Sequence, residues 1–155
     1  MKIRWKALLL CLAIPLAVGG LSALITMGSM EQFALLKQPP LSPPDWLFPI
    51  MWTILFSMMG IASYLVFLAE PSKKGVALTV YGIQLAVNFL WPVLFFNLQF
   101  FFGAFLWLIF LWVLILTTLI LFYQLRRWAG LLLIPYLLWV TFAGYLNLAI
   151  AILNG

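Results

Sequence analysis

GVALTVYGIQLAVNFLWPVLFFNLQFFFGAFLWLIFLWVLILTTLILFYQL, residues 75–125, carries no charged side chain from end to end. A helix needs about 20 apolar residues to cross the hydrocarbon core of a bilayer, so this run suffices for two crossings and must break once. Asn97-Leu98-Gln99 is its most polar point. That predicts one span near Gly75–Phe96 and another near Phe100–Tyr123. Working outward, Trp46–Ala69 precedes it, Ala7–Met27 lies further upstream, and Trp128–Gly155 follows it with a span to Leu153. The reading is an all-α polytopic membrane protein. A single domain, residues 1–155, holds five transmembrane helices over residues 7–27, 46–69, 75–96, 100–123 and 128–153, with one long loop at residues 28–45. The short connections force neighbouring spans to run antiparallel.

Composition agrees. The chain is 67% hydrophobic and 7% charged with a mean hydropathy of +1.21, whereas soluble domains carry about a quarter charged residues to solvate their surface. Lipid is therefore the solvent for most of its exterior. The net charge of +5 does not form a nucleic-acid patch, because the basic residues sit between the apolar runs. Lys2, Arg4, Lys6, Lys73, Lys74, Arg126 and Arg127 fall on one side of the five spans and Lys37 alone on the other. Seven against one places the N-terminus in the cytoplasm and the C-terminus outside. The basic start and Leu21-Ser22-Ala23 also fit a cleaved signal peptide. The apolar run continues through Met27, however, and Gly19, Ser22, Ala23 and Thr26 form a small-residue face suited to close helix packing, so it is read as a span.

Several chemistries are excluded. Histidine is absent, which removes a histidine base, a Ser-His nucleophile pair and the usual imidazole ligand of a metal or haem. Glu31, Asp45 and Glu70, the only carboxylates, lie at the ends of apolar runs, so none is available for a proton relay in mid-membrane. No phosphate-binding glycine loop of the Walker type occurs. Cys11, the single cysteine, reads as a small apolar filler.

The loop at 28–45 is stiffened by Pro39, Pro40, Pro43 and Pro44, which restrict their own backbones and those of the residues before them. Glu31–Leu36 before them fits one amphipathic turn. The segment reads either as a lid over the outer end of the bundle or as a rigid connector.

Inside the spans, polar and aromatic residues recur at helical spacing. Tyr81, Gln84, Asn88, Trp91 and Phe95 share one face of the third span, and Pro49, Trp52, Phe56, Met59 and Ser63 one face of the second. Pro135, Trp139, Ala143 and Asn147 step by four along the fifth. Asn88 and Asn147 should point into the bundle, since a bare amide facing lipid is costly. Spacing leaves two readings open: interhelical hydrogen bonds in an aromatic-filled core, or an aromatic-walled cavity with a few amides for a flat, largely apolar ligand. Trp5, Trp46 and Trp128 lie at span ends and read as interfacial anchors; the faces of Trp107 and Trp112 stay undecided.

Pro43-Pro44-Asp45-Trp46-Leu47-Phe48-Pro49 with Trp52, then Gln84 with Asn88-Phe89-Leu90-Trp91-Pro92 and Phe95-Phe96, Thr117-Thr118, Tyr123-Gln124, Pro135-Tyr136 with Trp139, and Phe142-Ala143 with Leu146-Asn147 resemble, in order, the tryptophan-rich sensory protein and translocator family (TspO/MBR, which includes the peripheral benzodiazepine receptor). The resemblance implies five spans and a cavity opening toward the first loop that binds porphyrins, and in some members sterols and benzodiazepine-type drugs. By position, Trp52, Phe56, Asn88, Trp91, Trp139, Ala143 and Leu146 would line it, with Pro43 and Pro44 in the loop above. It further implies a rival, enzymatic role in which Trp52 and Trp139 are catalytic in light- and oxygen-dependent porphyrin degradation. A third alternative, a small drug exporter, would want a mid-membrane carboxylate that this chain lacks.

The sequence departs from the family pattern in the loop, where Gln32-Phe33 replaces Trp-Tyr, Gln38 a lysine and Leu41 a tryptophan. The C-terminal residues after Asn147 lack the aromatic-basic pair of the cholesterol motif. Without histidine, and with Cys11 on a different span from the cavity residues, haem iron has no evident axial ligand, so metal-free porphyrin should bind at least as well. The expectation is a porphyrin-binding receptor or transporter of the bacterial inner membrane, with porphyrin as ligand, no cofactor and no metal. Its partners are porphyrin-type small molecules and the lipid bilayer, with a homodimer open and nucleic acid excluded.

Overall fold

A computed structural model describes residues 2–69 and 71–154, with the backbone alone for residues 71–73. Glu70, read above as a carboxylate at the end of a run, and the side chain of Lys73 lie outside the described residues. Five helices are long and apolar enough to cross a membrane, and the described residues contain no strand. The chain is a multi-pass integral membrane protein.

The first span is α1, Trp5–Thr26, which runs through a tight 3₁₀ turn at Met27–Ser29 into the short α2, Met30–Ala34. The second is α3, Leu47–Phe67, and the third is α4, Pro71–Pro92. Pro92 has no N–H to give to the carbonyl of Asn88, and the chain widens directly after it into a π turn, Val93–Asn97. The break follows at Leu98–Phe100, where Gln99 takes a positive φ of 51°. α5, Phe101–Leu125, is the fourth span. The fifth is divided into α6, Arg127–Leu131, and α7, Ile134–Asn154. Pro135 explains the division: it is tolerated in the first turn of a helix, where no intrahelical donor is missed, but not in the interior.

Around the bundle the spans are ordered first, second, fifth, fourth, third: α1 lies against α3 and α4, α4 against α5, and α5 against α6 and α7. Lipid tails are as apolar as leucine, so association rests on close packing and interhelical hydrogen bonds rather than on a hydrophobic drive. Gly60 shows the packing. A β-carbon there would come within 2.8 Å of the Cys11 carbonyl oxygen and of Leu12 Cα, so α1 and α3 touch backbone to backbone. Of the small-residue face on α1, Ser22 and Thr26 are buried and Gly19 packs on the Phe56 ring, while Ala23 faces outward. The Ser22 hydroxyl donates to Phe89 O of α4 at 3.2 Å, so the first span is docked on two neighbours.

The second and fifth spans meet at one end only. α3 packs on α6, but α3 and α7 share little backbone contact. The gap between them toward the loop is closed by side chains and by the loop itself.

Candidate functional site

The loop runs alongside the C-terminal half of α7. The Asn154 side chain clasps the Lys37 backbone in both directions, accepting from Lys37 N–H at 2.9 Å and donating to Lys37 O at 3.1 Å. Nine residues further down α7, the Tyr145 hydroxyl donates to Pro40 O at 2.7 Å. Lower still, the Phe48 ring, just inside α3, meets Trp139 edge-on at 6.0 Å. Residues 37–48 thus form a strap antiparallel to α7, taking the place of a helical wall. The chain just upstream of the strap is tied to the α4–α5 corner: Phe33 packs edge-on against Phe96 at 5.1 Å and tilted against Phe95 at 5.9 Å, and Ser29 Oγ donates to Asn97 Oδ1 at 2.8 Å.

Two aromatic groups follow from this layout. The first lines the seam between α3, α7 and the strap. Trp52 sits 5.6 Å from Phe56 and 6.3 Å edge-on from Tyr136. Trp139 sits between Phe48 and Phe142, and Phe142 stacks on Tyr145. Trp52 and Trp139 therefore serve the same seam with different ring partners. Ala143, one turn along α7 from Trp139, is buried, as is Leu146. The second group, Trp91, Phe95, Phe96 and Phe101 with Phe33, fills the α4–α5 corner, where Trp91 stacks on Phe95 at 5.2 Å. Trp91 has different ring partners from Trp52 and Trp139, but all three pack against the same buried core. Pro43 is half-buried in the strap and Pro44 exposed.

The two informative amides are both engaged between helices. Asn88 Nδ2 donates to the Tyr136 hydroxyl, which donates to Gln84 Oε1 at 2.8 Å. Asn147 accepts from Trp91 Nε1 at 3.0 Å and donates to Phe101 O at 2.8 Å, joining α4, α5 and α7. Tyr136 is thus the polar centre beneath Trp52, a role its spacing did not announce. Trp107 is bonded inward to Val87 O at 2.8 Å and Trp112 bridges α5 to α7 through an exposed bond to Thr141 Oγ1 at 2.9 Å, while Trp5, Trp46 and Trp128 are exposed at the span ends.

Among the described residues, two buried side-chain polar atoms have no hydrogen-bond partner, the Tyr81 hydroxyl and Trp139 Nε1. A buried donor without an acceptor costs about 1–3 kcal/mol. The Trp139 ring that carries the second of them lies between Phe48 and Phe142.

The profile of the TspO/MBR family matches residues 11–153. The chain belongs to the TspO/MBR family. It is 39% identical over 151 residues to the tryptophan-rich protein TspO of Chlorobaculum tepidum, covering 95% of each chain. It is 37% identical over 138 residues to the translocator protein of Bos taurus, covering 86% of this chain and 82% of that one. With the tryptophan-rich sensory protein of Cereibacter sphaeroides it shares 36% over 124 residues, 80% of this chain and 77% of that one. In this TspO/MBR chain the aromatic seam is walled by α3, α7 and the strap, and Phe33 carries the contact just upstream of the strap.

Proposed function

We propose that this protein is a membrane receptor or transporter that holds a flat, largely apolar tetrapyrrole in the seam between α3, α7 and the strap. The observation that carries the reading is the buried Trp139 N–H without an acceptor among the described residues, on a ring set between Phe48 and Phe142. A macrocycle inserted there meets π-faces on both sides and offers the N–H an acceptor at its polar edge. The names of the relatives, translocator protein and sensory protein, fit a role in binding or passage. The chain has no histidine, so recognition rests on the ring faces and not on iron.

Fluorescence quenching with protoporphyrin and with haem, on the intact protein in detergent, tests this. Protoporphyrin should bind no more weakly than haem, without a bis-imidazole spectrum for the latter. Haem binding more than about tenfold tighter, near 1.4 kcal/mol, would reveal an iron ligand and defeat the stacking account. The enzymatic alternative rests on the same seam, because Trp52 and Trp139 converge on it.

Orientation belongs to the same proposal. Arg4 and Lys74 both lie over the Phe67 ring, and Arg126 reaches Leu68 O, so the basic residues gather at the α3 C-terminal end, opposite Lys37. The positive-inside rule makes that end cytoplasmic, in the inner membrane for a bacterial source. A reporter fused after Lys74 should read cytoplasm and one fused at the C-terminus the outside. Both on one side would contradict an odd number of spans.

A further inference from the structure

At the basic end of the bundle, α3 and α6 converge around a cavity of about 290 Å³ lined by Leu65, Leu68, Arg126, Arg127 and Trp128. We propose that it is a binding site for an anionic phospholipid, the phosphate held by Arg126 and Arg127 and an acyl chain lying on Leu65, Leu68 and the Trp128 ring.

The argument begins with what the basic residues at this end already do. α3 finishes at Phe67 with unsatisfied carbonyls, as every helix does. Lys74 Nζ donates to Phe67 O at 3.0 Å, and Arg126 Nη2 reaches Leu68 O at 3.5 Å. These two cations complement the negative end of the α3 dipole. Among the described residues the other N–H groups of the Arg126 guanidinium have no partner, and exposed Arg127 is placed beside it by the start of α6. Seven basic residues share this side of the membrane with a single carboxylate, Glu70, since Glu31 and Asp45 belong to the other side. Whatever Glu70 does, positive charge is left in large excess.

The cavity walls say what kind of anion fits. Leu65, Leu68 and the Trp128 face are apolar, which a free phosphate would not use and an acyl chain would. Trp128 is 71% exposed and Trp5 63%, as expected of indoles at headgroup depth, so the cavity opens where lipid phosphates and the first acyl carbons lie. Basic pockets between transmembrane helices on the cytoplasmic side match anionic headgroups in this way.

Native mass spectrometry of the full-length protein in detergent can test this with phosphatidylglycerol against phosphatidylcholine of identical acyl chains. The unaltered protein should retain the anionic lipid about tenfold more than the zwitterionic one. Arg127→Gln caps no helix and should fold normally; it should cut that preference about fivefold, the effect of one basic side chain at the surface. Arg127→Lys should restore most of it, and Lys2→Gln/Lys6→Gln, which removes twice the charge elsewhere on the same side, should change it little. Equal retention of the two lipids would overturn the proposal. So would an equal loss in the Lys2/Lys6 variant, which would mean diffuse surface charge. Displacement of the lipid by inorganic phosphate at matched ionic strength would instead assign the site to a soluble anion and overturn it too.

Discussion

Trp52→Phe and Trp139→Phe should each keep protoporphyrin binding within about tenfold of the unaltered protein, near 1.4 kcal/mol, while abolishing any tryptophan-dependent consumption of the porphyrin in light and oxygen. Phenylalanine preserves a π-face between the same neighbours, Phe56 and Tyr136 for Trp52, Phe48 and Phe142 for Trp139. Ring pairing contributes about 0.5–1.5 kcal/mol beyond the area buried, and most of that survives. Trp139→Phe also removes the buried N–H, whose net contribution to a ligand is about 1 kcal/mol, so it should bind more weakly than Trp52→Phe. Phenylalanine is far harder to oxidise than tryptophan, which is why turnover and affinity should separate. Quenching titrations and porphyrin absorbance under illumination, against a protein-free control, read the two quantities independently. Consumption at the unaltered rate in both variants would remove these tryptophans as reactive groups. Loss of binding in folded variants would sink the stacking account itself.

Gly60→Leu should detach α1 from α3 and produce the largest stability loss of any single change considered. Even the first added carbon meets the backbone of Cys11 and Leu12 at 2.8 Å, and backbone cannot rotate aside as a flexible side chain can. Overpacking costs about 1–3 kcal/mol where neighbours can yield; here a whole span must shift, so about 3 kcal/mol or more is expected. Gly82→Ala is the control. A β-carbon at Gly82 meets nothing within 4 Å, and the change should stay within about 0.5 kcal/mol. Reversible unfolding in mixed detergent measures both. Equal stability of the two variants would mean that α1 does not sit on α3 as described.

How far the sequence could be read depends on which periodicity carries the information. Charge-free length decides the five helices, because hydrocarbon admits only α-helices and closed β-barrels, and barrel strands are about 10 residues long and alternate in polarity. On α4, the alternating steps from Tyr81 through Gln84 and Asn88 to Phe95 mark a face that is buried. On α7 a stride of four misleads. Each step of four advances about 40° around a helix of 3.6 residues per turn, so Pro135, Trp139, Ala143 and Asn147 drift across the surface. The buried stripe runs Tyr136, Val140, Ala143, Asn147 and Ile150, leaving Trp139 at its edge and Pro135 exposed. Reading that alternation would have found Tyr136. No periodicity within a helix gives the order of spans around the bundle, however. Hence the pairing of Asn88 with Tyr136, and of Asn147 with Trp91, could not be read from spacing, nor could the position of the loop along α7.

That position has a kinetic meaning. Between Lys37 and Phe48 the strap includes four residues without an N–H, Pro39, Pro40, Pro43 and Pro44, so it cannot form a ladder with anything. Its hold on α7 is three exposed hydrogen bonds at Asn154 and Tyr145 and the edge-on contact of Phe48 with Trp139. Segments held by so few, solvated bonds are the first to open in a native protein. On the proposed function, a tetrapyrrole held behind the strap should be gated: at high concentration its arrival rate should level off at the frequency with which the strap swings away, and its residence time should include the wait for the next opening.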